Sequence, residues 1–295
     1  MKPLRIVALA LVSLLALLAL ALGAVLVSGY AVATAKPGNP LRPLRVPPDS
    51  SRIERGRHLA LIECAGCHSS NGELPLAGGV DDYLGDPGSP PFGHLVAPNL
   101  TPGGPLAGAS DGQLARAIRE GVGADGRPLL VMPSRSFHRL SDADLAALIA
   151  YLRSQPAVRR GARARELTPL AYAVIGLHMF ETSRTPPIEM AIPEVPPDST
   201  ARYGQYLVSY LGCGDCHGAD LHGGRKGQFE PLGPDLVTIA DRAGRGPFLL
   251  ALRAGVSTRD GHGLDPKQMP WTSFRWLDDG EIAAVQNYLR GLAPR

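Results

Sequence analysis

The residues best suited to covalent chemistry are four cysteines, arranged as two copies of the motif Cys-x-x-Cys-His. The two copies consist of Cys64, Cys67 and His68, and of Cys213, Cys216 and His217. No other cysteine is present in the chain. Two thiols at this spacing can add to the two vinyl groups of a haem, and the adjacent histidine can reach the iron. The motifs therefore predict two covalently bound haem c groups.

Three other uses of such cysteine pairs are a disulfide, a thioredoxin-like redox pair and a zinc site. A thioredoxin-like pair belongs to a βαβ pattern, which this sequence lacks. A four-cysteine zinc ribbon separates its pairs by about 15–20 residues, far less than the distance between Cys67 and Cys213. Haem attachment is the favoured interpretation. It also suits a chain with 5% aromatic residues, 35 glycines and 28 prolines, since a porphyrin can form the core of a loop-rich domain.

The surroundings of the two motifs are duplicated. The run Val-Pro-Pro-Asp-Ser occurs at residues 46–50 and again at 195–199, and the cysteine motifs share the same offset of 149. Later landmarks have an offset of 136 or 137, so the first copy carries 13 additional residues. Two copies of one domain follow. The predicted organisation is an N-terminal segment (1–35), a first repeat (46–155), a connector (156–194) and a second repeat (195–295).

Each repeat is expected to contain about three helices around long loops. The predicted helices cover roughly 52–63, 111–120 and 142–153 in the first repeat, and 201–211, 247–254 and 279–290 in the second. In the last helix of the first repeat, Leu145, Leu148 and Leu152 mark one apolar face, after an acidic variant of a capping box at 141–144. The segments 69–108 and 218–246 are predicted to be loops.

Met132 and Met269 are the candidate second axial ligands of the two irons. Each is followed by proline, and each lies 19 residues before the Tyr-Leu-Arg of the last helix of its repeat. A thioether is a soft ligand, and a Met/His pair raises the haem potential. Histidines outside the motifs remain alternatives, namely His58, His94, His138, His222 and His262. The expected metal ligands are thus His68 with Met132, and His217 with Met269.

The N-terminal segment predicts export. Residues 6–35 contain no charge, and the apolar run 6–27 is long enough to cross a bilayer. Lys2 and Arg5 place the short N-terminal end in the cytoplasm. The favoured location is the cytoplasmic membrane of a bacterium, with a single-pass helix and the haem domains in the periplasm. Because Ala33-Thr34-Ala35 is similar to a cleavage site, a soluble periplasmic protein is the alternative.

The repeats resemble class I c-type cytochromes, in which Cys-x-x-Cys-His ends an N-terminal helix and a later methionine binds the iron. The segments 98–102, 118–122 and 140–145 are similar to the cytochrome c subunits of periplasmic membrane-bound alcohol and gluconate dehydrogenases, which usually have three such domains rather than two. The resemblance implies an all-α fold with two tandem cytochrome c domains after a transmembrane helix. It also implies that the carbonyls of Pro98 and Pro234 accept hydrogen bonds from His68 and His217.

The expected function is single-electron transfer between a dehydrogenase or quinol-side donor and a respiratory-chain acceptor. The expected partners are redox proteins (a dehydrogenase subunit, a small cytochrome c or an oxidase), together with the membrane through the N-terminal helix. The alternative is a dihaem enzyme, of the peroxidase or thiosulfate-oxidising type, with one open haem. A net charge of +3 disfavours nucleic acid as a partner.

The connector contains an apolar stretch at 167–180, which is too short to span a membrane. One interpretation is a docking surface for a partner subunit or for the bilayer, with nearby arginines meeting anionic head groups. The favoured interpretation is a helix that joins the two repeats. Arg127, Trp271 and Trp276 are candidates for contact with haem propionates, with plain packing or a solvated-surface role as the alternative.

Overall fold

The N-terminal segment forms one long helix in the computed structural model, which describes residues 2–85, 90–161, 163–228 and 231–293. This helix is α1 (Lys2–Thr34). Among the described residues, Pro3–Thr34 is the only helix long and apolar enough to cross a membrane, and its most apolar part is not buried in the protein. A core helix of a soluble protein would be buried. The exposure therefore fits both predictions for this segment, an anchor and a signal.

Three of the helices described in the first repeat coincide with the predicted ones. The elements of this repeat are α2 (Ser50–Glu63), α3 (Ala65–His68), β1 (Gly93–His94), α4 (Asp111–Glu120), α5 (Ser134–Phe137) and α6 (Asp142–Ser154). Ser110 and Gln113 form a reciprocal capping box at the start of α4. The predicted box at α6 is only half formed. Ser141 accepts a hydrogen bond from the Asp144 amide, but the Asp144 carboxylate binds Arg55.

The connector contains β2 (Glu166–Leu167) and α7 (Pro169–Gly176). β2 pairs antiparallel with β1, with Gly93 opposite Leu167. The expectation that 69–108 is entirely loop therefore needs this small correction. The expectation that the apolar stretch joins the two repeats is wrong. Its helix, α7, packs mainly on α1, because its small and apolar residues fit the end of that helix.

The second repeat has the three predicted helices and three shorter ones that were not predicted. Its elements are α8 (Ala201–Tyr210), α9 (Cys213–His217), α10 (Leu236–Arg242), α11 (Arg245–Ala254), α12 (Trp271–Phe274) and α13 (Asp279–Gly291). The longest of the three unpredicted helices, α10, lies in the expected loop 218–246. Asp235 caps it by accepting a hydrogen bond from the Thr238 amide, and Val237 and Ala240 are buried where α10 packs on α13. Its seven residues are too few for a clear periodic pattern.

The first and last helices of each repeat are packed closely, α2 on α6 and α8 on α13. Glycine makes this distance possible. A Cβ built on Gly56 would lie 1.9 Å from the carbonyl oxygen of Ala147, and one on Gly204 would lie 1.9 Å from that of Ala284. Since real Cβ atoms do not approach so closely, a larger residue would push the helices apart. The two repeats therefore use the same helix-packing solution.

The two repeats share one hydrophobic core, and polar contacts between them follow an approximate two-fold relationship. When Gly56 is aligned with Gly204, His58 becomes equivalent to Tyr206. When the last helices are aligned at their offset of 137, Asp144 becomes equivalent to Glu281. The contacts obey this equivalence. His58 Nε2 lies 2.9 Å from both Glu281 carboxylate oxygens, and Tyr206 donates to Asp144 at 2.7 Å. Arg55 lies between them and donates to Asp144 at 2.8 Å.

The ion pairs stabilise this interface in the charged form. Burial alone would raise the pKa of Glu281, but the hydrogen bond and charge of His58, with the charge of Arg55, bring that pKa below its ordinary value. A lowered carboxyl pKa contributes stability above the ordinary value, and this contribution is lost as pH falls through the lowered one. The contribution of Glu281 to the interface should consequently be lost in acid.

Replacing Asp144 with alanine should lower the free energy of unfolding by about 3 kcal/mol, because it leaves a largely buried Arg55 and the Tyr206 hydroxyl without their acceptor. Urea titration of the full chain, followed by circular dichroism, measures the change. The matched control is Glu54→Ala, also in an ion pair with an arginine of α2. Both side chains of that pair are exposed (67% for Glu54), so the loss should be much smaller than for Asp144→Ala. Equal losses in the two variants would contradict the interface argument.

Candidate haem sites

Helices position both attachment motifs. In the first repeat, α2 ends at Glu63, Cys64 is its C-cap, and α3 carries Cys67 and His68. In the second repeat, Gly212 has a left-handed backbone (φ 71°) that turns the chain from α8 into α9. Glycine adopts this conformation at low cost. The two cysteines and the histidine of each motif thus lie on one short helical turn.

Both motif histidines are fixed by a backbone carbonyl. His68 Nδ1 lies 2.8 Å from the oxygen of Pro98, and His217 Nδ1 lies 2.7 Å from that of Pro234. Burial lowers the pKa of each imidazole, and the carbonyl hydrogen bond only partly opposes this. Each ring is therefore neutral near pH 7, with its proton on Nδ1. This arrangement leaves Nε2 as an acceptor for a metal and is the usual support of a ligating histidine.

The loops that follow the two motif histidines are equivalent in the two repeats. This equivalence shows where the 13 additional residues of the first repeat lie. The Gly78 amide donates to the His68 carbonyl at 2.8 Å, and the Gly223 amide donates to the His217 carbonyl at 2.8 Å. The first repeat thus has four extra residues before this contact and nine after it, before Pro98. The second insert includes β1, which pairs with the connector. The insertion therefore attaches the connector to the first repeat and leaves the histidine support unchanged.

The two Met-Pro loops have the same backbone conformation. Pro133 has φ −77° and ψ 49°, and Pro270 has φ −77° and ψ 51°. Each proline is followed at once by a four-residue helix, α5 or α12. Met132 and Met269 are both partly buried and pack against the hydrophobic core. Two soft thioether donors are thus held in equivalent places, which fits the predicted donor set.

Each Met-Pro loop also contacts the attachment motif of the other repeat. Ser136 on α5 donates to Asp215 in the second motif at 3.0 Å. Reciprocally, a Cβ built on Gly66 in the first motif would lie 2.7 Å from the Ser273 hydroxyl on α12. Neither serine was predicted as a site residue, although the two share the repeat offset of 137. The two candidate haem sites therefore lie side by side.

All five competing histidines have protein contacts that explain them without iron. His58 uses Nε2 for Glu281, and the Nδ1 atoms of the other four contact a carboxylate or a carbonyl. Those contacts are His94 with Asp82 (2.5 Å), His138 with the Arg119 carbonyl (3.1 Å), His222 with Asp235 (3.5 Å) and His262 with Asp260 (2.5 Å). His222 and His262 are exposed in loops. Because four of these rings keep Nε2 open among the described residues, as His68 and His217 do, it is the equivalent packing of the two Met-Pro loops that favours the methionines.

The alternative uses of the cysteines receive no support from the geometry. In the described part of the chain, no group of three or more cysteine, histidine and carboxylate side chains could hold a metal ion. Burial raises the pKa of Cys213 to about 12 and also raises the pKa of Cys64. A thiol redox pair requires a lowered pKa instead. The cysteines are thus unlike those of a zinc ribbon or a thioredoxin.

Two buried donors beside the second Met-Pro loop suit an anionic group. Trp276 Nε1 and Arg275 Nε are buried and have no hydrogen-bond partner among the described residues, and the Arg275 guanidinium lies 4.7 Å from the Trp276 ring centre. A haem propionate could accept from such donors. Trp271 and Arg127 have other partners, since Trp271 donates to the Leu264 carbonyl and Arg127 pairs with Asp125.

Comparison with known proteins agrees with this geometry. The family model described as cytochrome c matches residues 53–156 and again residues 201–293. The chain therefore belongs to the cytochrome c family, and its domains imply covalently bound haem c and electron transfer. The predicted all-α fold with two tandem cytochrome c domains is confirmed.

Curated relatives include cytochrome subunits of several dehydrogenases. The chain is 33% identical over 268 residues to one of the subunits of a nicotinate dehydrogenase of Pseudomonas putida, covering 82% of this chain and 21% of that protein. It is 32% identical over 180 residues to the cytochrome c subunit of a quinone alcohol dehydrogenase of Gluconobacter oxydans, covering 57% and 35%. A fructose dehydrogenase cytochrome subunit of Gluconobacter japonicus is 25% identical over 264 residues, covering 81% and 52%. The chain thus spans between a fifth and about half of the length of these relatives.

Proposed function

We propose that this chain is a membrane-anchored dihaem c-type cytochrome facing the bacterial periplasm. It accepts single electrons from a dehydrogenase or a quinol-side donor and passes them to a respiratory-chain acceptor, such as a small cytochrome c or an oxidase. The observation that carries this proposal is the duplicated set of a Cys-x-x-Cys-His turn, a histidine held by a proline carbonyl and a Met-Pro loop.

Eight residues would hold the two haem groups. Cys64 and Cys67 attach the first haem, with His68 and Met132 as its iron ligands. Cys213 and Cys216 attach the second, with His217 and Met269 as its iron ligands. Bound haem supplies the reversible one-electron change at iron. The protein holds each histidine in one tautomer through Pro98 or Pro234, and it supplies the buried surroundings that favour a high potential.

The contacts between the repeats support electron exchange inside the chain. Each Met-Pro loop touches the other repeat's attachment motif, and the Arg55 network holds the two repeats in one arrangement. A rigid arrangement avoids a search for the partner haem at each transfer. The proposed domain limits are those of the repeats, 46–155 and 195–295, joined by the connector 156–194.

The packing of the N-terminal helix supports a retained anchor rather than a cleaved signal. Arg165 donates both to the Ala33 carbonyl at 3.0 Å and to the Pro128 carbonyl at 2.8 Å, so it joins α1 to the first repeat. Ala33 is fully buried. Cleavage after Ala35 would remove Ala33 and the whole surface on which α7 packs. A signal sequence has no need of such contacts.

The relatives support a dehydrogenase as the electron donor. Three of those found are named as cytochrome subunits of alcohol, gluconate and fructose dehydrogenases, and a fourth as part of a nicotinate dehydrogenase. We propose that this chain likewise serves a dehydrogenase as its electron-transfer subunit, with the redox partner docking against the two repeats.

Saturated axial coordination distinguishes the carrier from a dihaem enzyme. We expect the reduced holoprotein to bind carbon monoxide poorly at neutral pH and to show negligible turnover of peroxide or thiosulfate, while it reduces a small cytochrome c rapidly in stopped-flow measurements. Met132→Ala is the positive control, because it opens one iron and should bind about one carbon monoxide per chain. Stoichiometric binding by the unaltered protein, together with steady turnover, would make the chain an enzyme instead.

A further inference from the structure

An exposed apolar tip follows α7, the helix that packs on the proposed anchor. Leu177, with 56% of its surface exposed, and Met179, with 67%, form this tip together with His178. The Met179 amide donates back to the Val174 carbonyl at 3.0 Å, and His178 has a left-handed backbone (φ 55°). The tip is therefore a defined turn that presents two large apolar side chains outward. We name residues 177–179 the connector tip.

The packing of α7 fixes the level of this tip along α1. A Cβ built on Gly176 would lie 2.1 Å from the Val25 carbonyl oxygen, and one on Gly29 would lie 1.8 Å from the Tyr172 carbonyl oxygen. Later residues of α7 thus meet earlier residues of α1, and the two helices run antiparallel. The connector tip consequently lies at the end of α7 that points toward the middle of α1.

The level of Val25 can be placed in a bilayer from the length of the helix. About 20 helical residues cross a hydrocarbon core about 30 Å thick. Counted from Ile6, the first residue after Arg5, twenty residues end at Val25. The turns from Val25 to Ala33 then lie in the outer interfacial layer, and so does α7. The connector tip lies at the inner boundary of that layer, next to the acyl chains.

The polarity of the residues along α7 decreases toward the tip. At the end away from the tip, Thr168 caps the helix, and Arg165 binds the carbonyl of Ala33. In the middle, the rings of Tyr30 and Tyr172 contact each other edge to face at 5.4 Å. Tyrosine is enriched where membrane meets water. From Arg165 to Leu177, charged, aromatic and aliphatic groups thus follow one another toward the bilayer, as they do in interfacial segments. Directly beyond the tip, the exposed ion pair of Glu181 with Arg135 returns the chain to a polar surface, so only the tip itself is apolar.

We infer that the connector tip inserts into the outer leaflet of the membrane, with the lipid acyl chains as its partner. This inference rests on the proposed retention of α1. The tip supplies a second attachment beside the spanning helix, and it holds the first repeat at a fixed tilt, because the connector is joined to that repeat through β1 and Arg165. A haem domain held in this way keeps a constant height above the bilayer.

The test is tryptophan quenching in lipid nanodiscs that contain the full holoprotein. The variant Leu177→Trp is compared in phosphatidylcholine with and without bromine near the glycerol end of the acyl chains, after subtraction of the emission of the unaltered chain. We expect bromine to quench the added emission by roughly half, since interfacial segments insert about 5–10 Å. Leu250→Trp is the matched control, and its emission should not change. Leu250 is exposed on α11, which packs on α12 and α13 rather than on α1.

Met179→Trp provides a second reporter if Leu177→Trp perturbs folding, which the Soret spectrum reveals. Quenching of these reporters by aqueous iodide rather than by brominated lipid would overturn the inference, because it places the tip in water. Protection from both quenchers would overturn it too, since a protein surface would then cover the tip. Carbonate extraction and intact mass are measured on the same preparation. Loss of the segment before Lys36 contradicts the retained anchor itself, whereas an intact, unquenched chain contradicts only the insertion.

Discussion

Alanine at both Cys213 and Cys216 is expected to halve the covalent haem content, from two haems per polypeptide to one. The thioether bonds of the second repeat need these two thiols, and the chain has no spare cysteine that could replace them. Protein from a host with c-type maturation is extracted with acid-acetone, which removes haem that is not covalently bound. Pyridine haemochrome absorbance per mole of polypeptide then gives the count.

The reciprocal variant is the control. Alanine at Cys64 and Cys67 should also leave one haem, and comparison of the two single-haem proteins assigns a spectrum and a potential to each repeat. Haem loss should additionally destabilise the affected repeat, because the porphyrin fills the space between its helices and loops. A haem content of one in the unaltered protein, or of two in either variant, would contradict the assignment of the attachment residues.

Replacing Met269 with histidine should lower the potential of one haem by a few tenths of a volt, on the order of the range that axial ligands control. Imidazole is a stronger donor to oxidised iron than a thioether, so the Met/His pair is the one with the higher potential. The oxidised protein should lose about half of its near-infrared charge-transfer band, which is typical of methionine-ligated iron. Spectroelectrochemical titration and near-infrared absorbance give both quantities.

Met190→His is the matched control for this change. Met190 is 80% exposed in the connector, so it should not reach an iron, and its replacement should leave both potentials and the charge-transfer band unchanged. Met132→His should act as Met269→His does, but on the other haem. If the band persists at full intensity in Met269→His, the methionine assignment of the second repeat is wrong and one of its exposed histidines becomes the candidate.

Local patterns in the sequence were sufficient for the fold class and for most helices. The helix α4 lies where its apolar spacing predicts it, and α6 lies where both its apolar spacing and its serine cap predict it, since these signals depend on residues a few positions apart. Because the two repeats align at known offsets, each motif residue in one copy predicted its counterpart in the other copy. α10 was missed because a seven-residue helix with two buried side chains leaves too little pattern.

The candidate site likewise has features that the sequence predicted and features that only the structure revealed. Reaction geometry dictates the cysteine spacing, so the attachment motif could be recognised without any structure. The proline carbonyls came from family resemblance, and the structure places them 2.8 and 2.7 Å from the histidine rings. The contact of each Met-Pro loop with the opposite motif had no sequence signal of its own, because Ser136 and Asp215 are 79 residues apart.

The sequence alone thus determined the duplicated motifs, the all-α class and the apolar N-terminal helix, all of which are written in short-range spacing and composition. Only the tertiary structure decided how the repeats face each other and where the connector helix packs. Both depend on long-range fit: Arg55 meets Asp144 across 89 positions, and Gly29 meets Tyr172 across an even larger separation. Apolar composition predicts that a helix such as α7 is buried. The shape of its partner helix, including its glycines, determines the surface on which α7 packs.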